Sequence, residues 1–274
     1  MVGVETMVPQ WANRLSLKWE TKRGEVQANY HGSLTQCSTT YLGQDDKGTT
    51  YVAPFKSLLP MVDPSDIVVS GWDISKKNIY EATKRAKVLE PTMYNQLKEY
   101  IEKMVPLPAV FDLSFVAPNQ ETRADNVIEG NKEKQLETVR QNIRDFKEQN
   151  KLDKVIILWN GNTERFCEVD PKIHGTADAL LAGIKNNEKE ISPSTVYCVA
   201  AILEHCSYIN GSPQNTFVPG VIDLAEREGV ILMGDDMKTG QTKLKSVMAD
   251  FLITSGLKLT AVVWKCFIFI FSFN

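Results

Sequence analysis

Short runs of aliphatic and β-branched residues, each followed by a polar turn and an amphipathic helix pattern, recur along this chain. The run at 155–159 is continuously apolar, which predicts a parallel strand buried on both faces. Similar patterns predict strands at 67–70, 230–233 and 259–263. Because strands alternate with helices, the sequence predicts an α/β fold, with a mostly parallel sheet and helices on both faces.

The clearest helix pattern covers residues 132–150. Its apolar residues recur every three or four positions and are Leu136, Val139, Ile143 and Phe146. Ser192 and Pro193 are the residue types expected at the cap and first position of another helix. Pro219 and Gly229 are typical of the start and end of a third. Further helices are predicted at 76–89, 92–104 and 241–254.

Composition excludes several classes of function. The net charge of −3 over 274 residues comes without a basic stripe, which argues against a nucleic-acid partner. The five cysteines show no Cys-x-x-Cys spacing, so we expect free thiols in the cytoplasm. The three histidines are scattered, and no metal site is predicted.

Both ends of the chain are unusual. The N-terminus has no signal-peptide pattern. The apolar run at 266–274 is far shorter than the ~20 residues that a membrane span needs, so no membrane partner is predicted. We interpret 264–274 as an apolar tail foreign to the fold, and one prone to aggregate if it is exposed as a strand.

Polar residues follow the predicted strands, where open parallel sheets bind ligands. Asp73 suits a ribose hydroxyl or, equally, a helix N-cap. Asn162, Thr163 and Glu164 could reach a ligand or could form an ordinary turn. Gly211 and Ser212 fit a close backbone approach to a ligand, and a plain turn before a proline explains them equally well.

Residues 234–245 are the most informative stretch. Two acids precede Lys238, Thr239 and Gly240 at the start of a predicted helix, which suits an anion, although a solvated lysine-rich first turn is the alternative. The spacing of a phosphate-binding P-loop is absent, which argues against a phosphoryl-transfer enzyme. No Gly-x-Gly-x-x-Gly motif occurs either.

Several motifs together resemble the eukaryotic inositol-3-phosphate synthases, also called myo-inositol-1-phosphate synthases. The resemblance covers about residues 12–263. The matching stretches are Ala-Asn-Arg-Leu at 12–15, Gln-Ala-Asn-Tyr at 27–30, Gly-Ser-Leu-Thr-Gln at 32–36, Pro-Phe-Lys-Ser-Leu-Leu-Pro-Met-Val at 54–62, Gly-Trp-Asp-Ile-Ser at 71–75, Asn-Thr-Glu-Arg at 162–165, Ser-Pro-Ser-Thr at 192–195, Asn-Gly-Ser-Pro-Gln-Asn-Thr-Phe-Val-Pro-Gly at 210–220, Gly-Asp-Asp at 234–236 and Gly-Gln-Thr-Lys at 240–243.

The resemblance implies a Rossmann-type NAD-binding domain that carries an inserted α+β catalytic and tetramerisation domain. It also implies conversion of glucose 6-phosphate to inositol 3-phosphate by a homotetramer, for inositol and phospholipid biosynthesis. Bound NAD would take a hydride and return it, so that no net redox change occurs.

The resemblance also assigns roles to individual residues. Asp73 is implied as a ligand on the adenosine side, with Ala109 and Val110 as backbone neighbours of the adenine. Asp236 is implied both as an NAD contact and as an acid beside the nicotinamide, and Lys238 is a second candidate catalytic residue. The remaining implied cofactor contacts are Thr163, Gly211 and Thr239, and we add Asn162 and Ser212 as candidate contacts from their positions beside them.

This sequence also departs from the family pattern. Residues 1–11 stand where the family has a glycine-rich phosphate loop, and the principal catalytic lysines of the family would follow residue 263. We therefore expect an incomplete NAD-binding domain over 12–243, the start of the catalytic domain over 244–263, and a chain that is inactive by itself. A non-catalytic fragment that binds full-length subunits is the alternative hypothesis.

Overall fold

The computed structural model describes residues 2–30, 33–237 and 240–258, and gives no side-chain burial for 2–6, 34 and 240–243. The α-helices are α1 (Val2–Arg14), α2 (Leu34–Cys37), α3 (Ile79–Ala86), α4 (Pro91–Tyr94), α5 (Lys98–Ile101), α6 (Lys132–Gln149), α7 (Pro171–His174), α8 (Ala177–Lys185), α9 (Pro193–Leu203), α10 (Pro219–Glu228) and α11 (Gly240–Thr254). Five 3₁₀ turns cover Phe55–Ser57, Pro64–Asp66, Asn95–Leu97, Leu113–Phe115 and Pro118–Arg123.

The strands that position the candidate site are parallel. The strands are β1 (Lys18–Thr21), β2 (Gly24–Gln27), β3 (Thr39–Gln44), β4 (Thr50–Pro54), β5 (Trp72–Asp73), β6 (Leu107–Pro108), β7 (Ile156–Trp159), β8 (Ser207–Asn210) and β9 (Leu232–Met233). β5 pairs with β6, and β7, β8 and β9 form a three-stranded sheet, with all of these pairings parallel. The predicted α/β fold is confirmed.

Two antiparallel hairpins precede the parallel strands. β1 pairs with β2, and β3 pairs with β4 with a register irregularity between Tyr41 and Gly43. The sequence pattern did not predict them. All four residues of β2 are exposed, so this strand has no buried apolar face for a sequence pattern to mark.

The larger hydrophobic core surrounds α9. Every residue of α9 from Pro193 to Ile202 is buried, and α6, α8 and α10 supply apolar side chains around it. Arg140 and Arg144 of α6 both bond Glu204, just after α9, with a shortest N–O distance of 2.7 Å in each pair. A second core joins α1 to α4 and α5 through Val8, Leu97 and Ile101.

Local helix signals were reliable. α6 ends within one residue of the predicted boundary, and Leu136, Val139 and Ile143 are buried. The Ser192 side chain caps α9 by accepting from the backbone N–H of Thr195, with Pro193 as the first helical residue. Gly229 ends α10 with a φ of 65°, a left-handed conformation that favours glycine.

Three predicted elements are corrected by the structure. The strand predicted at 67–70 is instead the two-residue β5, because Ile67 and Val68 are exposed and the Ile67 carbonyl accepts from the Gln10 amide. The strand predicted at 230–233 is reduced to β9. β7 is not buried on both faces, since Ile157 is 8% exposed while Ile156 and Leu158 are 62% and 40% exposed.

Two predicted helices are shorter than expected. The helix predicted at 76–89 begins after Asn78, whose side chain accepts from the backbone N–H of Glu81, and it ends where Lys87 turns left-handed. The helix predicted at 92–104 is broken by the 3₁₀ turn between α4 and α5. The strand predicted at 259–263 and the tail at 264–274 lie outside the described residues, and the predicted domain boundaries stay predictions.

Candidate functional site

The predicted site residues follow the carboxyl ends of the five parallel strands. Asp73 ends β5, Ala109 and Val110 follow β6, Asn162 and Thr163 follow β7, Gly211 and Ser212 follow β8, and Asp236 follows β9. Because parallel strands end on the same edge of a sheet, the three loops after β7, β8 and β9 share one edge. Lys238 and Thr239 lie outside the described residues.

Tyr197 of α9 links the two parallel sheets at this edge. Its hydroxyl accepts a 2.9 Å hydrogen bond from the backbone N–H of Val110. Its ring centroid lies 5.1 Å from that of Trp72 on β5 and 5.7 Å from that of Trp159 on β7. Burial raises the pKa of the Tyr197 hydroxyl, which therefore stays protonated.

Asp73 is not a helix N-cap, because Asn78 has that role for α3. One carboxylate oxygen of Asp73 accepts from the backbone N–H of Ser75 at 2.8 Å, and the residue stays half-buried at the strand end. The backbone N–H and carbonyl of Ala109 are engaged by Asn126 and Ile128, and the side chains of Ala109 and Val110 are buried. Ala109 and Val110 therefore form a backbone wall beside Asp73, a tightly packed backbone surface next to its strand end.

The loop after β7 turns one side chain inward and two outward. Asn162 and Thr163 are exposed, and the Asn162 amide donates to the side-chain oxygen of Gln120 at 2.8 Å. Glu164, for which the sequence left open a ligand contact or an ordinary turn, is only 3% exposed and turns away from the surface. Within the described part of the chain, Trp159 Nε1 at the end of β7 is buried without a hydrogen-bond partner.

Glu164 instead bonds the first turn of α9. One carboxylate oxygen accepts from the hydroxyl of Ser194 at 2.6 Å, and the other accepts from its backbone N–H at 3.1 Å. The positive end of the helix and these donors favour the carboxylate. Burial outweighs them, helped by the negative charge of Asp112, and raises the pKa of Glu164 to about 7.

The loop after β8 bonds the end of β7 and the loop that follows β7. Gly211 donates its N–H to the Trp159 carbonyl at 2.9 Å, and a Cβ at Gly211 would lie 2.7 Å from that oxygen. The Ser212 hydroxyl donates to the carbonyl of Gly161 at 3.3 Å. Asp236 is exposed and has a φ of 69°, a left-handed conformation that is uncommon outside glycine.

The site residues that the sequence did not indicate are buried amides. Asn210 and Gln214 are 1% and 2% exposed and bond one another and all three loops. Both lie inside the motif at 210–220, which was the only available signal for them.

The described part of the chain shows neither a candidate metal site nor a membrane-spanning helix. Across the described ranges, no group of three or more His, Cys, Asp or Glu side chains could hold a metal ion. No helix in the same ranges is long and apolar enough to cross a membrane.

Comparisons with known proteins agree on one family. The family model described as myo-inositol-1-phosphate synthase, an NAD-binding domain model, matches residues 2–265. Inositol-3-phosphate synthase of Sesamum indicum is 52% identical over 92% of this chain and 49% of that protein. Inositol-3-phosphate synthase 1-A of Xenopus laevis is 54% identical over 92% of this chain and 44% of that protein.

A solved structure shows the same similarity in three dimensions. The crystal structure of inositol-3-phosphate synthase from Caenorhabditis elegans matches with a TM-score of 0.89 at 48% identity. The match covers 93% of this chain and 50% of that one. The chain thus spans about half the length of the relatives that it matches.

A parallel α/β fold with polar loops at the strand ends defines a Rossmann-type nucleotide-binding protein. The chain belongs to the myo-inositol-1-phosphate synthase family, which is a family of enzymes. The match to an NAD-binding domain model also confirms NAD as the predicted cofactor.

Proposed function

We propose that this chain forms the NAD-binding part of an inositol-3-phosphate synthase. The whole protein would use NAD to convert glucose 6-phosphate to inositol 3-phosphate, and would assemble as a homotetramer. The observation that carries the proposal is the convergence of polar strand-end loops in a chain of this family. When bound, NAD would accept a hydride from the substrate and return it.

The residues at the strand ends fit the two nucleoside parts of NAD. Asp73 offers a carboxylate acceptor of the kind that binds ribose hydroxyls, beside the backbone wall of Ala109 and Val110. We assign Thr163, Gly211 and Asp236 to the nicotinamide side of the same edge.

Asn162, Ser212 and Thr239 complete the proposed cofactor contacts. The roles of Asp236 as an acid beside the nicotinamide and of Lys238 as a second catalytic group belong to this proposal as well. The unpartnered Nε1 of Trp159 is a further buried donor at the same edge.

The described edge is poorly suited to the pyrophosphate of NAD. Asp73, Asp235 and Asp236 are acids, and carboxylates repel a phosphate anion. Residues 2–11, which stand where the resemblance places a phosphate loop, belong to helix α1, and the Gln10 amide in this helix donates to the carbonyls of Pro64 and Ile67. We therefore propose that this chain binds NAD weakly by itself.

Replacing Asp73 with asparagine is expected to weaken NAD binding about tenfold. Asparagine keeps the oxygen that accepts from Ser75 but loses the charge that strengthens a bond to a ribose hydroxyl. Isothermal calorimetry of the 274-residue chain should give a Kd above about 1 µM, and a larger Kd for the variant.

Asp45→Asn is the matched control. Asp45 accepts from two backbone N–H groups in the β3–β4 hairpin, in a turn like that of Asp73 but in another part of the chain. Its replacement should leave the Kd unchanged. Sub-micromolar binding by the unmodified chain, or equal weakening in the control, contradicts the proposal.

We expect no conversion of glucose 6-phosphate by this 274-residue chain alone. The side chains described at the site are acids, amides and hydroxyls, and the chain spans about half the length of its relatives. Cationic groups that stabilise developing negative charge contribute orders of magnitude to rates. Inositol phosphate should be measured beside a full-length relative. A comparable rate overturns this part of the proposal.

A reducing location such as the cytoplasm is part of the same proposal. Cys37, Cys167, Cys198 and Cys206 are free thiols, and the last three are buried. Burial raises the pKa of these three thiols, which keeps them protonated and unreactive. Structural thiols of this kind are typical of reducing compartments.

A further inference from the structure

Asn210 is the last residue of β8, and its side-chain amide forms hydrogen bonds to the loops after β8 and β9. Its nitrogen donates to a carboxylate oxygen of Asp235 at 2.7 Å and to the carbonyl of Gln214 at 3.2 Å. Its oxygen accepts from the backbone N–H of Ser212 at 3.2 Å. The side chain therefore connects the loop after β8 to the loop after β9.

Gln214 extends this connection to the loop after β7. Its side-chain nitrogen donates to the oxygen of Asn210 at 3.4 Å, and its oxygen accepts from the backbone N–H of Glu164 at 3.3 Å. Both amides are almost fully buried. A continuous path of hydrogen bonds thus runs from Asp235 through the two amides to Glu164.

We infer that Asn210 and Gln214 are positioning residues that hold the three loops in one arrangement for NAD. This inference rests on the proposed function, because Thr163, Gly211 and Asp236 are its cofactor contacts in those loops. Neither amide is assigned a contact with the cofactor. A buried amide with all its partners in place allows few other geometries, since a displaced loop leaves polar atoms unpaired away from water.

Residue 210 must be the donor in its hydrogen bond to Asp235. Asp235 is a carboxylate that can only accept, so its partner must donate. An aspartate at 210 has nearly the same shape as asparagine, but its carboxylate cannot donate. Two carboxylates 2.7 Å apart cannot both stay ionised, so this pair must either separate or take up a proton. Shape is conserved in that variant, and only the hydrogen bond and the charge change.

Asn210→Asp is expected to raise the Kd for NAD at least tenfold. It should also speed amide hydrogen exchange at Glu164, at 211–212 and at 234–236. In the double variant Asn210→Asp with Asp235→Asn, residue 235 donates to residue 210, so both effects should be partly reversed. Rescue by an exchanged pair distinguishes positioning from a general loss of stability.

Gln10→Glu is the matched control. The Gln10 amide is also buried and donates to two carbonyl oxygens, but it lies in the core around α1. The control should lower the melting temperature and leave both the Kd and the exchange of the three loops unchanged, at a temperature where every variant is folded.

Several outcomes overturn the inference. They are an unchanged Kd with unchanged loop exchange in Asn210→Asp, the same loop effects in the control, and no rescue by the exchanged pair. If the unmodified chain binds no NAD, the proposed function fails, and loop exchange still tests the positioning. If Asn210→Asp does not fold, Gln214→Met tests it, and exchange should quicken at the Glu164 N–H, whose hydrogen bond the Gln214 side chain accepts, while 234–236 stays unchanged.

Discussion

Replacing Glu164 with glutamine is expected to increase the free energy of unfolding by up to about 3 kcal/mol at a pH of about 8. The carboxyl is buried, and its pKa rises from 4.5 to about 7 on folding. Because folding raises this pKa, the protonated Glu164 side chain contributes its full stabilisation of the folded state below about pH 4.5. That contribution is lost as the pH rises to about 7. Glutamine is neutral throughout and can keep the bonds to Ser194.

Urea unfolding of both proteins between about pH 4 and pH 8 measures this difference. The two stabilities should be similar at the acidic end and separate as the pH passes the raised pKa. Glu190→Gln is the control, and its expected change in stability has the opposite sign, because the bond to Arg165 lowers the pKa of Glu190 to about 2. That variant should lose stability near neutral pH. Parallel pH profiles for wild type and Glu164→Gln would contradict the assignment.

Replacing Gly211 with alanine is expected to lower the free energy of unfolding by about 2 kcal/mol, and the melting temperature by roughly 4 to 8 °C. The added Cβ would lie 2.7 Å from the Trp159 carbonyl and 3.2 Å from the Asn160 side-chain oxygen. The backbone must therefore move, and we expect NAD binding to weaken at least tenfold as the loop shifts.

Gly71→Ala is the control for this substitution. A Cβ at Gly71 meets no atom within 4 Å, so we expect stability to change by less than about 0.5 kcal/mol. Calorimetric melting and NAD titration should be applied to both variants. A Gly211→Ala protein that melts and binds like the wild type would show that the loop has room for a side chain.

Features set by neighbouring residues could be predicted from the sequence. Caps such as Ser192 and Gly229 act within one helical turn, and the amphipathic spacing of α6 needs only its own residues. The predicted site residues Asp73, Asn162 and Gly211 also followed from local order, since a ligand-binding loop comes directly after its strand, whereas Ala109 and Val110 came only from the family resemblance.

Local sequence patterns could not predict contacts between residues that are far apart along the chain. Val110 and Tyr197 are 87 positions apart, yet their bond joins the two parallel sheets. Glu164 follows two exposed residues and turns inward because the first turn of α9 supplies donors, which the order of residues at 162–165 does not reveal. The short strands β5 and β9 depend in the same way on their partners.

The complete burial of α9 has a consequence for mutational tolerance. A helix with one exposed face, such as α6, accepts substitutions with a periodicity of about 3.6 residues. The residues from Pro193 to Ile202 are buried on every side, so a saturation scan should find an uninterrupted block of sensitive positions there. We therefore expect neutral substitutions to concentrate in the elements around α9, while a tolerated change within α9 needs a compensating change in its neighbours.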